Sequence, residues 1–177
     1  VGGHGVGPKR TFAAGASVAS LTRNSPTILN AGFNGLVTGT KLDPSASPMF
    51  WDSRVRSLEQ QALAPIQSRE EMRGDTCADT EAVAAAVSRV QAVSEYRDRF
   101  AAAFNEPSAT AVTSENLAEA IAAFERSLIT PPTPFDRFLQ GDSQALASDQ
   151  QRGLHVFDSA GCIQCHGGPM FSDFKLH

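Results

Sequence analysis

A chain of 177 residues suits one medium domain or two small ones and excludes a large multidomain enzyme. With 41% hydrophobic and 19% charged residues, and no apolar run near the roughly 18 residues that a membrane span needs, it reads as a soluble globular protein with a real core. The 15 Lys and Arg against 19 Asp and Glu give a net charge of -4, which leaves no basic footprint for nucleic acid. The start at Val1 without an initiator Met, and the end at His177 just past a motif, predict a processed or truncated piece of a longer protein.

Residues 1–40 are rich in glycine, carry no sustained apolar period and read as ordered loop. Val1 to Gly7 has neither a preceding strand nor the spacing of a phosphate loop, so that reading is weak. After the Pro48-Met49-Phe50-Trp51 corner, Ser57 to Leu63 predicts a helix of about two turns ended by Pro65. Val83, Val87 and Val90 predict a helix from Thr80, and Tyr96, Phe100 and Phe104 a second one, with Pro107 closing the pair. Thr113 or Ser114 caps the next helix, whose Leu117, Ile121, Phe124 and Leu128 form a stripe expected to face the core.

Pro131, Pro132 and Pro134 forbid continuation of that helix and mark a hinge between two units. Beyond it, Ser148 and Gln151 have capping-box spacing, Leu154 and Phe157 share a face, and Gly161 stops the helix. No alternating run is long enough to require a strand and no internal repeat occurs, so the fold class is mainly α.

The chemistry lies just beyond Gly161. Cys162-Ile163-Gln164-Cys165-His166 is C-x-x-C-H, whose two thiols, one helical turn apart, form thioethers to the vinyl groups of a haem while His166 ligates the iron. A zinc site needs a second ligand pair that the sequence lacks, and a thioredoxin-like pair needs a βαβ setting that the helical surroundings do not offer. Haem attachment of this kind is completed outside the cytoplasm, which favours a bacterial periplasm. Cys77 stands apart and reads as an idle or buried thiol, since three cysteines so placed are no disulfide framework.

Several words of the sequence, in order, carry a resemblance. They are Arg23-Asn24-Ser25-Pro26-Thr27-Ile28-Leu29-Asn30, Phe50-Trp51-Asp52-Ser53-Arg54, Ser57 to Ile66, Glu70-Glu71-Met72, and Phe124-Glu125-Arg126-Ser127-Leu128-Ile129-Thr130-Pro131. Pro134-Phe135-Asp136, the haem motif and Gly167-Gly168-Pro169-Met170-Phe171 follow. Together they resemble the bacterial di-haem cytochrome c peroxidases and their MauG-type relatives across nearly the whole chain.

The resemblance implies two cytochrome c-like α domains, here partial, with long ordered loops. Residues 1–134 would belong to the peroxidatic domain, its haem motif lying before Val1, and residues 135–177 would begin the electron-transfer domain. Two haem c groups are then expected in the full protein, one of them on Cys162, Cys165 and His166, and a calcium ion between the domains, with Asn24 as one ligand. Without the family, Asn24 is a turn-capping residue before Pro26. His4, in its Gly-rich loop, corresponds to a distal ligand of the peroxidatic iron in typical peroxidases, but its wider spacing from Asn24 leaves ligation open.

Trp51 matches the tryptophan between the haems, where packing as a core aromatic is the other reading. Gln61 and Glu71 match the distal glutamine and carboxylate of the peroxide site; read alone they are ordinary polar residues. The implied activity is periplasmic reduction of hydrogen peroxide with electrons from a small cytochrome c or a cupredoxin. A MauG-type oxidation of aromatic residues in a partner protein is the alternative, and a plain electron-carrier cytochrome c the third reading. A homodimer is left open. Haem counting by pyridine haemochrome on the full-length protein is expected to give two per chain, and a count of one would remove the two-haem expectation.

Overall fold

The structure, a computed structural model, describes Arg23 and residues 25–177. The Gly-rich start, His4 and Asn24 lie outside the described residues. Among the described residues six α-helices run in chain order: α1 Leu58–Gln67, α2 Asp79–Gln91, α3 Ser94–Phe104, α4 Ser114–Ser127, α5 Pro134–Leu139 and α6 Ser148–Ser159. A π-helical turn, Arg69–Arg73, follows α1, and short 3-10 turns lie at Ala31–Phe33 and Cys162–Gln164. Among the described residues there is no strand, only an isolated antiparallel bridge between Met49 and Val55. The mainly α expectation holds.

The core is built where α1 crosses α4. Leu58 of α1 and Ala122 of α4, which is 0% exposed, pack with Ala31 and Met49, and Phe50 and Val55 close over them. Small residues on α4 let the two helix axes approach, and burial of the apolar surface between them stabilises the pair. Across the top of this contact Arg126 of α4 pairs with Glu59 of α1 at 2.6 Å. Partial burial alone would raise the Glu59 carboxyl, but the hydrogen bond and charge of Arg126 hold it below its ordinary range. A second cluster, Phe100, Ala111 and Val112, gathers Val87 and Val90 of α2 with Leu117 of α4.

The α4 stripe is therefore not the one expected. Ala118, Ala122 and Glu125 turn inward, while Phe124 is 61% exposed and Leu117 leans toward the Phe100 cluster. The cause is local as well as tertiary. Thr113 caps α4 by accepting from Asn116 N at 3.0 Å, and the buried Asn116 side chain donates to Ala111 O at 2.9 Å, which fixes the rotation of the helix at its first turn.

Prolines also behave differently from the expectation. Pro65 sits inside α1, which continues to Gln67 because only one late hydrogen bond is forfeited and Ser68 N still reaches Ala64 O at 3.0 Å. Pro134 does not merely break a helix but starts α5, where a missing N–H costs nothing. Thr133 and Asp136 close a reciprocal box there, Asp136 Oδ2 accepting from Thr133 N at 2.6 Å and Thr133 Oγ1 accepting from Asp136 N at 3.2 Å. On α6 the reach-back comes one residue earlier than expected: Gln150 Oε1 accepts from Ala147 N, while Gln151 Nε2 donates to Ser143 O and Leu146 O.

Replacing Thr113 by Ala is expected to cost about 1 kcal/mol, the usual loss of an N-cap. Asn116→Leu should cost about 1–3 kcal/mol because it strands the buried Ala111 carbonyl. Denaturant titration of the two variants checks both values and their order.

Candidate functional site

The first site grows out of α1. Ser57 caps this helix, its Oγ accepting from Gln60 N at 3.2 Å, so that Leu58 faces the core. Gln61 and Pro65, at helical spacing from Leu58, then line a cleft of about 530 Å³. Trp51, Arg54, Glu71 and Glu125 line the same cleft, together with Pro26, Thr27 and Ile28 from the preceding loop. Three residues singled out by sequence, Trp51, Gln61 and Glu71, are thus brought together.

Each is held by a local device. Glu71 sits on the π-helical turn, in which Arg73 N reaches back to Ser68 O at 3.1 Å; such turns recur at functional positions. The turn is clamped by Arg69 on Asp75 at 2.5 Å and by Arg73, which donates to the carbonyls of Gln67 and Cys77. Cys77 itself is a half-buried free thiol.

Trp51 rides a tight reversal in which Phe50 and Ser53 both take positive φ, 63° and 53°. Non-glycine residues hold that conformation only when their surroundings enforce it. Here the Met49–Val55 bridge closes the reversal, Arg54 stacks 3.6 Å over the Phe50 ring, and Asp52 receives Arg23 at 2.6 Å and Arg54 at 3.0 Å. Hydrogen bonding from Arg23, ahead of that from Arg54, holds the Asp52 carboxyl below its ordinary range. The reversal carries Trp51 outward to 61% exposure, so the core-aromatic reading fails.

Two features of the cleft have a polar character that composition does not disclose. Among the described residues Gln61 Oε1 is buried without a hydrogen-bond partner. Glu125, buried beside the alanine face of α4, has its carboxyl pushed up by burial, with Arg126 opposing in part. In the sequence Glu125 stands only within the Phe124–Pro131 word and is not marked as a site residue. The signal was its place at i+7 from Ala118 and i+3 from Ala122, a carboxylate on the inward stripe.

The second site is the C-x-x-C-H motif. Gly161, at φ 81°, ends α6 in the left-handed region, and Cys162–Gln164 forms a 3-10 turn rather than a full α-turn. His166 N donates to Cys162 O at 2.9 Å, and both cysteines stand exposed. His166 Nδ1 lies 3.2 Å from Phe171 O. A carbonyl only accepts, so Nδ1 carries the hydrogen and Nε2 keeps its lone pair for a metal, the usual arrangement of a ligating histidine.

Phe157 packs 6.5 Å from the His166 ring and 6.1 Å from Phe171, which in turn meets Phe135 at 5.2 Å. An apolar groove of about 280 Å³ lined by these phenylalanines with Leu146, Gly153 and Leu154 adjoins the motif. Two exposed thiols, an oriented imidazole and an apolar groove fit a covalently held haem. Among the described residues no three His, Cys, Asp or Glu side chains converge as a metal cluster, so the zinc reading finds no ligand set there. His177 pairs with Asp173 at 3.0 Å, and His155 is exposed. No helix among the described residues is long and apolar enough to cross a membrane.

The sequence profile of a family described as di-haem cytochrome c peroxidase matches residues 3–144. The methylamine utilization protein MauG of Methylophilus methylotrophus is 33% identical over 171 residues, 95% of this chain and 44% of that protein. A cytochrome c551 peroxidase of Nitrosomonas europaea is 37% identical over 146 residues, 82% of this chain and 37% of that protein. Among solved structures, a MauG-like protein associated with microbial copper homeostasis superposes with a TM-score of 0.64 at 27% identity, covering 96% of this chain and 45% of that one. The chain spans less than half the length of these relatives.

At Gly167 a Cβ would lie 2.6 Å from the Ile163 carbonyl oxygen, closer than real contacts allow. Gly167→Ala is therefore expected to distort the attachment turn and reduce covalent haem loading on Cys162 and Cys165, read as the haem-stained fraction of the matured protein on a denaturing gel. Full loading would show that the turn tolerates the change.

Proposed function

This chain belongs to the di-haem cytochrome c peroxidase family, and on that premise we propose that it serves a periplasmic enzyme that reduces hydrogen peroxide to water with electrons from a small cytochrome c or a cupredoxin. The observation that carries this reading is the convergence of Gln61, Glu71 and Trp51 on one cleft while the haem motif occupies a separate, exposed surface. An electron carrier needs only Cys162, Cys165 and His166 and leaves that cleft without a purpose. In this reading residues 1–134 belong to the peroxidatic unit and residues 135–177 to the electron-transfer unit.

Haem, when bound, supplies the redox chemistry by which peroxide oxygen is reduced. The chain's own residues supply the rest. Cys162 and Cys165 would anchor the macrocycle as thioethers, and His166 Nε2 would ligate iron while Phe171 O holds its Nδ1–H. In the cleft, Glu71 would act as general acid–base, its carboxylate accepting a proton from one oxygen of the peroxide and returning it to the other. Gln61 donates from its amide N–H to that oxygen and orients it. Trp51, exposed and lining the same cleft, is assigned in this reading to relay electrons between the two halves of the enzyme. Calcium held in part by Asn24, and iron ligation by His4, remain parts of the proposal that rest on resemblance.

The MauG-type reading, oxidation of aromatic residues on a partner protein, draws on one observation. The match to the MauG relative covers 95% of this chain, against 82% for the cytochrome c551 peroxidase. The two readings part in the electron source, so turnover of peroxide with reduced cytochrome c supports the first and oxidation of an added protein substrate the second.

In the full-length, haem-loaded protein, Glu71→Gln is expected to lower peroxide turnover by about 10²–10⁴-fold, the range for loss of a general acid–base, with haem content unchanged. Undiminished turnover would remove Glu71 from the mechanism and revive the electron-carrier reading.

A further inference from the structure

Asn30 lines neither the cleft nor the groove beside the haem motif. It holds φ 59° and ψ 12°, left-handed backbone that Asn enters more readily than other non-glycine residues. From there it bonds to the chain that leaves α4. Its backbone N–H donates to Leu128 O at 2.9 Å, its side-chain Nδ2 donates to Thr130 Oγ1 at 2.9 Å, and its Oδ1 accepts from Thr130 N at 3.0 Å. Thr130 is the last residue before Pro131 and Pro132, a position confined to extended backbone. Beyond these prolines the Thr133–Asp136 box fixes the start of α5. The link from α4 to α5 is thus a short proline strut pinned at both ends.

The chain on either side of Asn30 reaches both sites. Before it, Pro26, Thr27 and Ile28 line the cleft with Gln61 and Glu71. After it, Ala31 is buried in the α1–α4 core, and a Cβ on Gly32 would lie 3.3 Å from Arg126 Cγ. Farther on, Thr38 lies against the loop that follows the haem motif, where a Cβ on Gly168 would meet Thr38 Oγ1 at 3.3 Å and Thr38 N at 3.5 Å. Residues 26–38 therefore run from the cleft, past the proline strut, to the haem-motif loop, and Asn30 is the point at which they are tied to the strut.

We propose that Asn30 is a positioning residue for electron transfer between the haem motif and the cleft: by clamping Thr130 it holds residues 26–38 and the proline strut as one piece, and so fixes the distance between the two sites. The inference rests on the two-haem peroxidase reading. In that reading electrons from the donor protein enter at the haem on His166, which is oxidised again as each electron passes on, and peroxide in the cleft is reduced to water. Electron transfer through protein slows exponentially with separation. A clamp that touches neither site therefore acts on its rate by holding the span between them.

Variants of the full-length, haem-loaded protein test this. Asn30→Gly keeps the left-handed backbone and its bond to Leu128 O but removes both side-chain bonds, whereas Asn30→Asp keeps both, its carboxylate accepting from Thr130 N and from the Thr130 hydroxyl. Hydrogen exchange at the Thr130 amide reads the clamp, and pulse radiolysis with optical detection reads electron movement between the haems. Asn30→Gly is expected to speed Thr130 exchange about tenfold, as loss of an ordinary hydrogen bond implies. It is expected to slow interhaem transfer by about 10–10²-fold, the scale of a misplacement near 1 Å, with haem content and haem spectra unchanged. Asn30→Asp is expected to keep both rates at the wild-type value. Thr130→Val, which removes one hydroxyl at an exposed position, is expected to shift both rates less and in the same direction. Wild-type interhaem transfer in Asn30→Gly, or Thr130 exchange that does not change there, overturns the proposal, and so does slowed transfer in an Asn30→Asp protein whose Thr130 amide stays protected. Protein that turns over no peroxide, but whose interhaem transfer follows the clamp in this way, would refute the peroxidase reading and uphold the positioning role.

Discussion

The close approach of α1 to α4 is the contact on which the cleft depends. It exists because the inward stripe of α4 is alanine at 118 and 122, so Leu58 and Ala62 of α1 press against backbone-hugging side chains rather than against bulk. Larger residues there would push α1 outward and carry Gln61 and Pro65 away from the loop that supplies Pro26 to Ile28. The Arg126–Glu59 pair fixes the register of the two helices at one end, although at partial exposure its direct contribution to stability is small. What the pair does for the site is to turn Arg126 toward Glu59, so that its charge offsets the burial of Glu125 only in part.

Around that contact the polar residues of the cleft are held by short-range geometry. The π-helical turn presents Glu71, and the positive-φ reversal at Phe50 to Ser53 presents Trp51. Both are conformations that cost free energy and are maintained by clamps, Arg69 on Asp75 in one and Asp52 with Arg23 and Arg54 in the other. Backbone strain beside an amide oxygen that has no donor among the described residues is the observation that supports the proposed reaction site.

The haem motif obeys a separate logic. Its determinants are almost wholly local: a left-handed Gly161, a 3-10 turn, a Gly167 that must lack a Cβ, and a backbone carbonyl five residues on that sets the tautomer of His166. Distant segments also touch it: Phe171 meets Phe135 at 5.2 Å, and a Cβ on Gly168 would lie 3.3 Å from Thr38 Oγ1, so the loop after the motif rests on the segment around Thr38.

The sequence by itself determined what depends on near neighbours: the helices from Thr80 to Phe104, the cap at Thr113, the stop at Gly161, and the C-x-x-C-H spacing that names its cofactor. Order and wording along the chain also carried the family. Only the tertiary structure decided which face of α4 is buried, that Pro65 leaves α1 intact and Pro134 begins a helix, that Trp51 points outward, and that Glu125 joins Gln61 in one cleft. The division has a physical reason. Caps, turns and ligand spacing are closed by hydrogen bonds within a few residues, whereas the choice between two apolar faces of a helix, or the burial of one carboxylate, is set by what a distant segment brings against it.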